Sequence, residues 1–456
     1  MKTRRKLALT AALALVASFA PVNPASAGTA LGGGGATFLA NMMDICSAQY
    51  NRDGQANPDQ DVVTYAAVGS SAGRNNFKSG TYKFGGTESA YPTGTEPTGL
   101  VYVPLVAGSI AIGYRVDGMT PADAQVRLTG EVVAKIFAGQ IKNWNDPAIA
   151  AANKATSVAK KLSAAKEGIT ASVAKSGGKV NFTVKMTPAA RTKFKKVNIT
   201  ITRTSLGGSP KIVMKAKPAA SLTRSINYAK DTFYTVNAGR TTIGILAVEQ
   251  VKDGVNIKFP SLAIRVVHRS DGSGTTNNFT NYLNKSFPAI WNKPSSDTYS
   301  TAFPGSMPTD GSFQSAKGND GLANYVRDNN GGITYAELSF LNERNVKAAA
   351  VQNPGKRYVG PSSDSSAVWF EQADVADSGL VTQNFANTAA DAYPINAISY
   401  GLSSKSTSSD NTAVKNYFGY FLSKCAPANA AKSGYTPLQG AILTKALAQV
   451  AKISAG

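Results

Sequence analysis

The sequence predicts an α/β protein interrupted by a β-rich module. Three observations lead there. Strand-like and helical runs alternate from Gly32 to Phe137 and again after Phe259. Between about 153 and 254 the pattern changes to half-buried strands of period two. Three glycine-rich turns, two of them directly after a strand, lead into helices.

The first residues read as an export signal. Lys2, Arg4, Arg5 and Lys6 precede an apolar run from Leu7 to Ala20, which is short for a membrane span. Ala25-Ser26-Ala27 fits small-residue cleavage, so the secreted chain is expected to begin at Gly28. No Cys stands there to carry a lipid.

Asp61 to Ala66 reads as a strand ending in Gly69-Ser70-Ser71-Ala72-Gly73. Leu100 to Tyr114 reads as two β-rich runs, broken at Pro104 and Gly108. Glu131 to Phe137 is helical, and Asp146-Pro147 opens another helix. In the middle segment Val180, Phe182, Val184 and Met186 alternate with polar residues, as do Val197, Ile199 and Ile201. Ala263 to Arg269 is the next strand, followed by Ser270-Asp271-Gly272-Ser273-Gly274-Thr275 and a helix over Asn277 to Leu283. Leu438 to Ile453 has helical spacing.

Charge is unevenly spread. The net charge is +21, but residues 151–250 hold 18 Lys and Arg against Glu167, Asp231 and Glu249, a net of +15. The export signal supplies another four positive charges, so the α/β part is nearly neutral. Nucleic-acid binding by the whole chain is therefore excluded, although basic proteins often seek polyanions. The chain has two cysteines, Cys46 and Cys425, and one histidine, His268. That is too little soft-ligand chemistry for a zinc site, and no metal or other cofactor is expected. In an exported protein the two cysteines are either a disulfide or a pair of buried thiols.

The three turns share a design. Gly33-Gly34-Gly35-Ala36-Thr37-Phe38, Gly69-Ser70-Ser71-Ala72-Gly73 and Asp271-Gly272-Ser273-Gly274-Thr275 each place Gly beside Ser or Thr at a helix start. Glycine admits close backbone approach, and helix-start N–H groups suit an anion. Such turns also merely cap helices, but Arg269 beside the third favours an oxyanion site. Gly69-Ser70-Ser71-Ala72-Gly73 also fits a nucleophile elbow, with Ser71 as nucleophile and His268 as the only candidate base, which would make a secreted serine hydrolase or phosphatase. No turn fits a P-loop.

These residues resemble the phosphate-binding proteins of bacterial phosphate ABC transporters. Gly35-Ala36-Thr37-Phe38 is similar to that family's first phosphate turn and Gly69-Ser70-Ser71 to its second. The run Val267 to Thr275 is similar to its most distinctive motif. Lys317-Gly318-Asn319-Asp320-Gly321 and Asp391-Ala392-Tyr393-Pro394-Ile395 look like further landmarks. The resemblance implies phosphate ligands at Thr37, Phe38 (backbone N–H), Ser70, Arg269, Ser273, Gly274 (backbone N–H) and Thr275, with Asp271 holding Arg269. The family's proton-accepting aspartate is replaced here by Glu88, one methylene longer.

The resemblance further implies a two-lobed periplasmic-binding-protein-like fold of type II and no enzymatic activity. After the signal at 1–27, lobe one takes 28–106 and 394–456, and lobe two takes 107–152 and 256–393. The basic β-rich insert at 153–255 interrupts lobe two, and crossings fall near Val106 and Pro394. Cys46 and Cys425 then share lobe one, which favours one intramolecular disulfide. The implied partners are inorganic phosphate and the permease subunits of an ABC transporter. The insert suggests an anionic cell-wall polymer as a further partner, or a wall-associated, adhesive role in place of transport.

Overall fold

The computed structural model describes residues 28–205, 209–371 and 373–454; the export signal expected at 1–27 lies outside them. Eight strands outside the middle segment form one hydrogen-bonded path. Its order is Phe313–Ala316, Arg265–Arg269, Gly332–Glu337, Leu100–Tyr114, Asn396–Ser404, Phe84–Thr87, Ala30–Gly35 and Val62–Ala67. Ala30–Gly35 runs parallel to both Val62–Ala67 and Phe84–Thr87. Arg265–Arg269 runs parallel to Phe313–Ala316 and Gly332–Glu337. Each parallel set is half of a two-lobed α/β fold with helices on its faces.

The two halves share the strand Leu100–Tyr114. Leu100 to Ser109 pairs antiparallel with Asn396–Ser404, and Ile110 to Tyr114 pairs with Gly332–Glu337. The partner therefore changes between Ser109 and Ile110. The expected break into two runs at Pro104 and Gly108 does not occur: this is one strand of 15 residues. Its register shifts between Ser399 and Tyr400, which pair with Val106 and Pro104 and leave Leu105 as the extra residue of a bulge. Proline is tolerated at such a bulge because the ladder there asks for no N–H. At Gly108 a Cβ would lie 3.1 Å from the Phe38 ring, so glycine makes room for the core.

The middle segment forms two four-stranded antiparallel sheets. One has the order Lys211–Ala216, Ile199–Ser205, Thr232–Ala238, Thr241–Leu246. The other has the order Ser221–Asn227, Lys179–Met186, Ile169–Ser176, Ser163–Lys166. Period-two patterning sends Val180, Phe182, Val184, Ile199 and Ile201 into a hydrophobic cluster separate from the main core. The segment's two ends lie side by side: Ala155 N–H donates to Asn256 Oδ1 at 2.9 Å and Ile257 N–H to Asn153 O at 3.1 Å. Asp253 pairs with Arg127 and, at 3.1 Å, with Arg357, both outside the segment. Asn237 Nδ2 donates to Asp391 Oδ2 at 3.0 Å. Burial raises the Asp391 carboxyl to about 6, against hydrogen bonds that lower it.

Cys46 and Cys425 are joined as a disulfide with Cα atoms 5.6 Å apart. It ties the helix Ala40–Tyr50 to the C-terminal helical segment.

Candidate functional site

The site forms where the parallel strands end. Ala30–Gly35 delivers Thr37 and Phe38, and Val62–Ala67 delivers Gly69 and Ser70. Phe84–Thr87 delivers Glu88, and Arg265–Arg269 delivers Arg269 and the turn after it. Ligands in open α/β sheets collect at such carboxyl ends. All three glycine-rich turns follow a strand, including the first, which continues Ala30–Gly35. They lead into the helices Ala40–Tyr50, Ser70–Lys78 and Gly274–Ser286. A fourth helix, Gly318–Asp328, starts at the same place.

The cleft is closed. Across it, Ser71 N–H donates to Gly272 O at 3.2 Å, Asn278 Nδ2 to Glu88 O at 2.8 Å and Asn319 Nδ2 to Thr37 Oγ1 at 3.0 Å. Gly69 has φ +95°, and a Cβ there would meet Asp271 Oδ2 at 2.5 Å, so only glycine fits the approach. Arg269 is 3% exposed and grips Asp271 with two N–H groups, Nε at 2.7 Å and Nη2. Asp271 also accepts from Gly318 N–H at 3.0 Å. Burial alone would raise the Asp271 carboxyl, but the hydrogen bond and charge of Arg269 hold it below its ordinary value. Arg269 thus enters the cleft already neutralised.

Thr37, Ser70, Glu88, Ser273 and Thr275 are all buried. Phe38 sends its ring into the core against Tyr435, 5.9 Å away, so only its backbone can serve a ligand. Ser273 Oγ caps its helix by accepting from Thr276 N–H at 3.1 Å. Glu88 accepts from Ser70 Oγ at 3.0 Å and from Ser399 Oγ at 2.8 Å. Burial raises its carboxyl to about 7, although those two hydroxyls and Arg269 pull it down. Thr275 Oγ1 is buried without a hydrogen-bond partner. Buried hydroxyls are rarely left so, and the cost is roughly 1–3 kcal/mol.

Ser71 and His268 do not form a nucleophile–base pair. Ser71 Oγ donates to Asp297 Oδ2 at 2.7 Å. His268 stacks on Tyr299 at 4.5 Å, and its Nδ1 lies 3.0 Å from the Arg269 carbonyl.

Sequence reasoning passed over Arg74, Asp297 and Ser399. Arg74 stands one helical turn after Ser70, a spacing that could have exposed it. Asp297 lies in the loop before Tyr299–Ala302 and carries no such signal. Ser399 comes from the strand Asn396–Ser404, far along the chain from Glu88.

Besides Asp391, the buried carboxyls of Glu88 and Glu337 make stability depend on pH. Glu337, at the end of Gly332–Glu337, is raised by burial to about 8, against the hydrogen bonds of Ser339. A raised carboxyl favours the protonated folded form. Its stabilisation is whole below the ordinary value of 4.5 and is lost as pH rises through 7 for Glu88 and 8 for Glu337. Each group tilts ligand-free stability downward by at most about 1.4 kcal/mol per pH unit within its window. Denaturant midpoints measured from pH 5 to 9 should fall, and Glu337→Gln should flatten the fall. An unchanged slope in that variant would show that Glu337 is ionised in the fold.

Comparison with known proteins agrees with the two-lobed α/β fold. Residues 22–170 and 244–424 match the PBP superfamily domain, and the match is interrupted across most of the β-rich segment. The Phosphate-binding protein PstS of Xylella fastidiosa (strain 9a5c) is 25% identical over 381 residues, 83% of this chain and 72% of that protein. That of Haemophilus influenzae is 23% identical over 366 residues, 79% and 75% of the two chains. A solved periplasmic phosphate-binding protein, PfluDING, bound with phosphate, superposes with a TM-score of 0.55 at 18% identity, covering 92% of this chain and 93% of that one. The phosphate-binding protein of Stenotrophomonas maltophilia gives 0.50 at 17%, with the same coverage. With the family match spanning well over half of its length and two α/β halves sharing a crossing strand, the chain belongs to the PBP superfamily and resembles its phosphate-binding members.

Proposed function

We propose that this protein is secreted, captures inorganic phosphate between its lobes and hands it to the permease of an ABC transporter. Thr275 Oγ1 carries the reading: a buried hydroxyl without a protein partner, at the end of the turn that follows the paired Arg269 and at a meeting of helix starts. The proposed ligands are Thr37, Phe38 N–H, Ser70, Glu88, Arg269, Ser273, Gly274 N–H and Thr275. The relatives named as phosphate-binding proteins support the choice of anion. Calorimetric titration with phosphate, arsenate and sulfate tests it. Phosphate should bind and sulfate should not; heat from sulfate alone, or from none of the three, would overturn it.

Glu88 supplies the selectivity. Phosphate near neutral pH still carries a proton, since phosphoesters lose their second at roughly pH 6. Sulfate carries none. Above about pH 7, where Glu88 is ionised, its carboxylate accepts that proton but repels a bare oxygen, and a dry cleft magnifies the repulsion. Glu88→Gln should therefore narrow the gap between phosphate and sulfate, because an amide can donate. Unchanged selectivity in competition binding would remove Glu88 from this role.

The β-rich segment supports a second, compatible reading, retention on an anionic cell-wall polymer. Lys179, Lys185, Lys195 and Lys196 are exposed on a segment of net charge +15. Replacing these four by Gln should weaken retention on purified walls at low salt and leave phosphate affinity intact. Retention by charge fades as the Debye length falls from about 10 Å at 0.1 M to about 3 Å at 1 M. Equal retention of wild type and variant would leave the charge without this partner.

A further inference from the structure

A second ion pair crosses the cleft beside the proposed ligand residues. Arg74 Nη2 lies 2.6 Å from Asp297 Oδ2, and both side chains are largely buried. Arg74 belongs to the helix that begins at Ser70. Asp297 lies on the opposite lobe, where its backbone carbonyl accepts from Ser273 N–H at 2.9 Å.

The two partners are held very differently. Arg74 is anchored on its own lobe: Nη1 donates to Thr87 Oγ1 at 3.0 Å, to Ser89 O at 3.2 Å and to Ser89 Oγ. Asp297 draws most of its side-chain partners from across the gap. Ser71 Oγ donates to it at 2.7 Å and Ser89 Oγ at 3.2 Å, besides Arg74, while its own lobe offers Asn277 Nδ2 at 3.0 Å. Opening the cleft would strip the carboxylate of three donors at once. The donors also alternate with the proposed ligand residues in the chain: Ser71 follows Ser70, and Ser89 follows Glu88.

We propose that Arg74 and Asp297 form an interlobe latch that sets how long a captured anion stays, resting on the reading of this cleft as the phosphate site. Neither residue is a phosphate ligand. They are positioning residues, and their contacts form with lobe closure whatever anion is inside. Asp297 has a further effect through Ser273, because the carbonyl that receives Ser273 N–H lies on the residue the latch pulls inward. A latch made in the closed state slows release and leaves the encounter of phosphate with the open cleft unchanged.

The test measures phosphate association and release by stopped flow for wild type, Arg74→Gln, Asp297→Asn and the double variant, with melting of each ligand-free protein. Each single variant should release phosphate at least about tenfold faster, association should change little, and the double variant should resemble the singles. Ligand-free melting of Asp297→Asn should stay near wild type, since the latch is absent from the open form; Arg74→Gln also loses its bonds to Thr87 and Ser89 on its own lobe, so its melting does not bear on the latch. Unaltered release, additive effects of the two changes on release, or a ligand-free melting loss in Asp297→Asn matching its affinity loss would each overturn the latch and leave the phosphate reading standing. Wild-type protein that takes up no phosphate would overturn the cleft reading, and the latch with it.

Discussion

A methyl group at position 274 should hold the cleft open. Gly274 opens the helix Gly274–Ser286 on lobe two, and its Cα faces lobe one. A Cβ there would lie 2.7 Å from Ser70 Oγ, 2.8 Å from Glu88 Cβ and 2.9 Å from Glu88 N. Ser70 can rotate away, but the Glu88 backbone cannot. The clash exists only when the lobes meet, because no residue of Gly274's own lobe is among those neighbours. In the open protein alanine is the better helix former, by about 1 kcal/mol in a helix interior and less at its end. Gly274→Ala should therefore keep or slightly raise the ligand-free melting temperature. It should weaken phosphate binding about 5- to 150-fold, the range for overpacking by roughly 1–3 kcal/mol. Calorimetry showing wild-type affinity would mean that phosphate is held without the lobes meeting here.

Loss of Arg269 should be comparably severe for a different reason. Its guanidinium is buried, holds Asp271 through two N–H groups and leaves its remaining donors for the anion. A hydrogen bond to a charged group is worth about 1.5–3 kcal/mol, or roughly 10- to 150-fold in affinity. Arg269→Ala also strands Asp271, whose remaining partner in this network is Gly318 N–H. That buried carboxylate would face the phosphate unneutralised and add repulsion. Arg269→Ala should thus bind phosphate less well than Arg269→Ala combined with Asp271→Asn. Arg269→Lys should not restore affinity, since an ammonium cannot grip a carboxylate and serve a second anion in one plane. Wild-type affinity in Arg269→Ala would remove the third turn from the site. Equal affinities in the single and double variants would show that Asp271 stays solvated.

Much of this architecture was legible in the sequence because it rests on local rules. Asp146 caps Pro147–Ala152 by accepting from Ala148 N–H at 2.8 Å, as its place before proline implies. The period-two positions Val180, Phe182 and Val184 are buried, because alternation lets only one face of a strand meet the core. The three glycine-rich turns start helices, as Gly and Ser at such junctions dictate. The reading failed at Leu100–Tyr114 because Pro104 and Gly108 carry local signals that tertiary context overrides. A bulge opposite Ser399 absorbs the proline, and the Phe38 ring fills the space beside the glycine.

The α/β class and the basic β-patterned segment were readable from the chain, as was the choice of residues proposed to hold an anion. Each depends on spacing within a few residues or on composition. Tertiary structure alone decided that Ser399 and Ser70 both donate to Glu88, that Asp297 crosses to Arg74, and that Thr275 Oγ1 is left without a protein partner. These contacts join residues up to 311 positions apart, and they exist only once two half-sheets share a strand and their helix starts face one another. No local pattern encodes such a meeting, because the meeting is a property of packed layers and not of any one segment.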